Sequence, residues 1–146
     1  MTTLTTSAAL LAPRILPGAL LRVAFLTGLA AAAINAVIFF IARSLGFIPA
    51  TVLVKGQPLT VVPVIVSSIL PVLVAAGVFA LLGRVTKNPV RSFTVLALVL
   101  LVVSFVNPCL GIPGVAPAMI IVLNLMHVVV AGLTVYAFRR YASTAA

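Results

Sequence analysis

Long apolar runs, interrupted only by single basic residues and proline-rich breaks, organise the chain. Val23–Ala42 is twenty residues without a charge, between Arg22 and Arg43, and Thr60–Gly83 is twenty-four, between Lys55 and Arg84. About twenty residues, rising about 1.5 Å each, cross a hydrocarbon layer of roughly 30 Å. Each of these runs therefore predicts one membrane-spanning helix. Ser92–Phe138 is an uncharged run of forty-seven, too long for one crossing. Its middle, Asn107–Pro117, holds three prolines and two glycines in eleven residues, which no helix can run through. The pattern predicts helices over about 20–45, 60–84, 89–107 and 117–139. Residues 1–18 precede them as an interfacial or poorly ordered segment. The third helix is the shortest and relies on Arg91 snorkelling, on tilt or on a thinned bilayer.

The first loop has its own pattern. Thr51–Val54 and Leu59–Val62 are short β-branched runs on either side of Lys55-Gly56-Gln57-Pro58, which predicts a small β-hairpin. An irregular loop entering the second helix through Pro58 and Pro63 is the competing expectation. The fold class is therefore an all-α membrane protein, a single domain over 1–146 with four transmembrane helices and this one hairpin-like feature. No internal repeat is visible.

Composition explains why lipid is the solvent. Hydrophobic residues make up 64% of the chain and charged residues 6%, with a mean hydropathy of +1.44. Soluble domains carry about 25% charged residues, so this chain cannot clothe a water-facing surface. Nine Lys and Arg face no Asp or Glu, for a net charge of +9. Scattered singly and in small groups between apolar runs, they read as helix-end anchors on anionic headgroups rather than a nucleic acid-binding patch. Arg14, Arg22, Arg84, Lys87, Arg91, Arg139 and Arg140 fall on one side of the predicted membrane, and Arg43 and Lys55 on the other. Seven against two places both termini in the cytoplasm. A cleaved signal built on Arg22 is disfavoured because the apolar run continues to Ala42. Cys109 is the single cysteine, so no intrachain disulfide forms.

The missing acids also bound the chemistry. There is no carboxylate for general acid–base work, for a Ser-His-Asp triad or for a titrating group of the kind proton pumps use. One histidine and one cysteine cannot make a four-ligand zinc site. A self-contained enzyme is not expected, and no cofactor or metal is assigned. What remains is a polar intramembrane seam of Asn35, Ser67, Ser68, Asn124 and His127, beside a ladder of small residues, Ala24, Gly28, Ala32 and Ala36. Such ladders let membrane helices approach closely, and buried asparagines act as interhelical hydrogen-bond donors. Asn124 and His127 share a helical face with Ala131 and Thr134. His127 is expected to be neutral and bonded to Asn35 or a serine. It is also the weak candidate for a proton-sensitive group or an axial ligand to haem or a chlorin. Ser67 precedes Pro71 by four, so its carbonyl lacks a helical donor. Tyr136 and Tyr141, beside Arg139 and Arg140, form an interfacial belt.

Ala33-Ile34-Asn35-Ala36-Val37, Gly56-Gln57-Pro58-Leu59-Thr60, the basic turn Arg84–Arg91 and Leu123-Asn124-Leu125-Met126-His127 together resemble an uncharacterised family of small bacterial four-helix membrane proteins, over roughly residues 20–140. The resemblance implies the architecture and points to Asn35, Met126 and His127, but supplies no activity. Three functions follow as expectations. The first is a structural or interaction subunit, as a homo-oligomer or in a larger membrane complex. The second is a binding or transport module for a lipid, apolar or anionic molecule in an intrabundle pocket. The third is a cofactor-bearing subunit using His127.

Overall fold

The computed structural model describes residues 16–49, 51, 53–54, 56–106 and 115–144. Residues 1–15, Lys55, Cys109 and most of the break between the last two apolar stretches lie outside the described residues, as do the expectations placed on them. Four helices account for nearly all the rest: α1 (Pro17–Ser44), α2 (Val61–Val85), α3 (Pro89–Ser104) and α4 (Pro117–Thr144). Three of them, α1, α2 and α4, are long and apolar enough to cross a membrane. The fourth, α3, is apolar but only 16 residues long, about 24 Å at helical rise.

The helix ends follow local chemistry. Proline opens α1, α3 and α4, where its missing N–H would have had no helical partner. Asn88 caps α3, its side-chain oxygen accepting from the Arg91 N–H at 3.2 Å. After α1 the chain turns at Gly46, with φ of 76°, while the Phe47 N–H bonds the Ala42 carbonyl at 2.9 Å. This left-handed step suits glycine and closes off the last carbonyls of the helix. In α2 the helix runs on through Pro71.

The first loop holds two strands of two residues each, β1 (Leu53–Val54) and β2 (Gln57–Pro58). They pair antiparallel, Leu53 with Pro58 and Val54 with Gln57, around Gly56 at φ 77°. This is far smaller than the hairpin the sequence suggests. Leu59–Val62 is not its second arm: Leu59 and Thr60 are unpaired and α2 begins at Val61. The reason is proline placement. Pro58 has no N–H to extend the ladder, and Pro63 sits in the first turn of α2, where proline is tolerated. Arg43 ties the loop back to α1, donating to the Leu59 carbonyl at 3.2 Å and lying over the Phe39 ring.

α1 packs against α2 and α4, while α3 leans on α4 and α2 and does not meet α1 among the described residues. Two apolar clusters form the core. One gathers Leu20, Ala24, Val72, Ala76, Phe79, Phe93 and Phe138. Within it the rings of Phe79, Phe93 and Phe138, from α2, α3 and α4, meet in a triangle with centroids 5.3–5.4 Å apart. Edge-to-face and tilted contacts of this kind add about 0.5–1.5 kcal/mol per pair beyond burial. The other cluster gathers Phe39, Ala42, Ile48, Val64, Met119, Val122 and Met126 at the opposite end of the helices.

Candidate functional site

Between the two clusters lies a polar layer. Helical spacing creates it: Val64, Ser68, Val72 and Ala76 recur every fourth residue and form the buried face of α2. Asn35 occupies the same level on α1, 2% exposed. Its Nδ2 donates to the Ser68 Oγ at 2.9 Å and to the Met126 carbonyl of α4 at 3.2 Å. Ser68 passes its own proton on to the Val64 carbonyl at 2.8 Å. Both N–H bonds of one amide thus join three helices. The Met126 carbonyl can only accept, which fixes which end of the Asn35 amide is nitrogen.

The amide oxygen has no such outlet. Asn35 Oδ1 is buried with no hydrogen-bond partner, and so is Asn124 Oδ1. A buried acceptor left this way costs about 1–3 kcal/mol. These two oxygens are the most unusual chemical feature of the bundle.

The other seam candidates separate. Ser67 stands outside it: one position from Ser68, it is turned about 100° around the helix. It is exposed, with its hydroxyl on the Val64 carbonyl at 3.2 Å. His127 is half-buried. Its partner is neither Asn35 nor a serine but the Leu123 carbonyl of its own helix, 2.7 Å from Nδ1. Because a carbonyl only accepts, Nδ1 carries the hydrogen, and in the neutral ring Nε2 keeps its lone pair. Asn124 is likewise half-buried. The buried stripe of α4 runs through Met119, Val122, Met126, Thr134 and Phe138, so Asn124 and His127 flank it. Thr134 lies on the stripe itself and bonds the Val130 carbonyl at 2.6 Å. No group of three or more His, Cys, Asp or Glu gathers among the described residues.

The small-residue ladder faces inward. Ala24, Gly28 and Ala32 are buried and Ala36 is half-buried. A Cβ placed on Gly28 would stand 3.3 Å from the Cα of Ile69 in α2, so glycine permits the close α1–α2 approach. The ladder is consumed inside the chain rather than presented to another copy.

Two features escape a sequence reading. The phenyl triangle joins one phenylalanine from each of three helices, with no shared spacing to reveal it. Tyr141 does more than line an interface: its hydroxyl bonds both the Leu16 N–H (3.0 Å) and the Leu16 carbonyl (3.1 Å). It therefore fastens the start of α1 to the end of α4.

Comparison with known proteins gives no match among curated proteins and none among solved structures. The signature of one family, a family of unknown function (DUF6069), matches residues 16–144. That span takes in all four helices and every member of the polar layer, and the chain belongs to this family.

Proposed function

We infer that the chain is a non-enzymatic structural or interaction subunit of a membrane assembly. It crosses the bilayer four times, with α3 as a short fourth crossing, and both ends lie in the cytoplasm of a bacterial plasma membrane. One observation carries the reading: Asn35, a polar side chain only 2% exposed, spends both its N–H bonds on tying α1 to α2 and α4. A group so committed holds helices together rather than turning over a substrate. The sequence adds that no Asp or Glu is present to accept or deliver a proton. The outer surface supports association, since the span-length part of α4 is only 17% buried within the chain. Mild solubilisation followed by native gel electrophoresis and mass spectrometry tests this. A discrete species heavier than the 15.0 kDa chain is expected, containing further copies or a stoichiometric partner. A monomer alone, across several mild detergents, would sink the reading.

The unpaired Asn35 and Asn124 oxygens favour a second reading, a binding module for a small molecule that donates hydrogen bonds in the bundle. With Nε2 of His127 nearby in sequence, a ligand bearing N–H or O–H groups suits this layer better than an anion. If a metabolite copurifies with wild type and equally with Asn124→Leu, this reading fails. The cofactor reading of His127 predicts a visible absorption band lost in His127→Ala; a colourless wild-type preparation excludes haem and chlorin.

A further inference from the structure

We propose that the groove between α3 and α4 holds one anionic phospholipid, its acyl chain lying along the helices and its phosphate at Arg139 and Arg91. The groove has a volume of about 710 Å³ and opens outward between Ala97 and Leu101 of α3 and Ala131 and Gly132 of α4. Arg139 and Arg140 stand at one end. A smaller hollow of about 270 Å³ adjoins it, shares Arg139 and adds Asn88 and Arg91. Arginines from two helices therefore converge at the end where α3 begins and α4 finishes.

Length, charge and floor select the occupant. From Arg91 in the smaller hollow to Leu101 in the groove the two together follow ten residues of rise, about 15 Å, which equals half of a roughly 30 Å hydrocarbon layer. An acyl chain of one leaflet fits that depth with its headgroup at the arginines. A helix of ten residues, about 10 Å across with its side chains, would fill roughly 1,200 Å³ and overflow the groove. The chain contains no Asp or Glu, so no acidic side chain competes for Arg91 and Arg139, and planar Arg forks suit phosphate oxygens. The floor is open where it needs to be: a Cβ on Gly132 meets nothing within 4 Å. This site is separate from the Asn35 layer, and it stands or falls independently of any assembly role.

Native mass spectrometry of the full chain tests it, after exchange into neutral detergent doped with equal amounts of phosphatidylglycerol and phosphatidylcholine. Wild type should retain one phosphatidylglycerol in at least about fivefold preference to phosphatidylcholine, whose choline cation offsets its phosphate, since about 1 kcal/mol per arginine at an anionic headgroup gives that factor. Arg139→Gln should cut phosphatidylglycerol retention about fivefold and lower phosphatidylcholine retention less. Gly132→Leu should fill the groove and lower retention of both, while Val74→Leu, on the outer face of α2, changes neither. Equal retention of the two lipids overturns the proposal. So does unchanged retention in Arg139→Gln, which holds the test open even where Gly132→Leu fails to fold. A Gly132→Leu chain that loses a dimer but keeps its lipid would make the groove a contact for a second copy, and would also overturn it.

Discussion

At the residue scale, one amide decides how the bundle closes. Asn35 gives two interhelical hydrogen bonds, each worth about 0.6–2 kcal/mol in membrane helices, against an unpaired buried oxygen costing about 1–3 kcal/mol. The two nearly cancel, which makes an unusual substitution pattern. Asn35→Leu removes the bonds and the orphaned oxygen together, so the expected loss is only about 1 kcal/mol. Asn35→Asp keeps the shape but, as a neutral acid, offers one O–H where the amide donates twice, to Ser68 and to the Met126 carbonyl, and as a carboxylate offers none and buries a charge. Its expected cost is above about 3 kcal/mol. Reversible unfolding in mixed micelles, followed by circular dichroism, ranks the two. An aspartate variant as stable as wild type would mean that the amide is not oriented as described. Asn35 itself is legible in the sequence, as a lone asparagine beside small residues. Its partners are not, because Ser67 and Ser68 are equally polar and only the helical phase, set by Val64, Val72 and Ala76, puts Ser68 inside. His127 shows the same limit: nothing in its neighbours reveals that its Nδ1 meets a carbonyl four residues back on its own helix.

At the element scale, the helices are held by two different devices. α1 and α2 meet through glycine: Gly28 lies within close reach of the Ile69 backbone, whereas a Cβ on Gly77 or Gly132 meets nothing. Gly28→Leu should therefore destabilise by about 1–3 kcal/mol through overpacking, and Gly77→Leu should be neutral in the same unfolding assay. Equal effects would show that the ladder does not set the α1–α2 distance. The small-residue ladder is visible in the sequence because its spacing is regular. α3 is held differently, by Phe93 inserted between Phe79 and Phe138, and Phe93 is its only fully buried residue. Truncating a buried phenylalanine costs about 3–5 kcal/mol in soluble cores. Because α3 does not touch α1, that loss falls on α3 first. Phe93→Ala should speed amide hydrogen exchange across Pro89–Ser104 at least about tenfold, the factor that 1.4 kcal/mol of local opening gives, while α1 exchange stays unchanged. Uniform acceleration in all four helices would show instead that the bundle opens as one unit. The first loop marks where pattern reading fails at this scale. Alternating β-branched residues at 59–62 look like a strand, yet two prolines turn them into the approach and first turn of α2.

At the scale of the whole molecule, the two ends of the bundle differ in charge, and the start of α1 and the end of α4 share one of them. Tyr141 bonds Leu16, so the start of α1 and the end of α4 are neighbours. The turn carrying Arg84, Lys87 and Arg91 lies at the same end, since Arg139 and Arg91 line one hollow. Arg22, Arg84, Lys87, Arg91, Arg139 and Arg140 therefore gather there, and Arg43 is alone at the other end among the described residues. This grouping was readable from the sequence because the apolar runs alone fix the number of reversals. The shortness of α3 was readable too, though at 16 residues it is shorter than the run over 89–107 predicts, and it can reach across only by moving the bilayer or its own arginine. Each basic residue near an anionic leaflet gains about 1 kcal/mol, so six against one should fix a single orientation with the crowded end inside. In a Cys109→Ser background, a membrane-impermeant maleimide added to intact cells should label Phe47→Cys, which is exposed beside Arg43, and spare Lys87→Cys until the membrane is opened. The opposite pattern would invert the orientation. Labelling of both positions in intact cells would mean two coexisting orientations. Ala142→Cys near the end of α4, spared in intact cells only when all four helices cross, reads whether the short α3 crosses or lies against a three-span core.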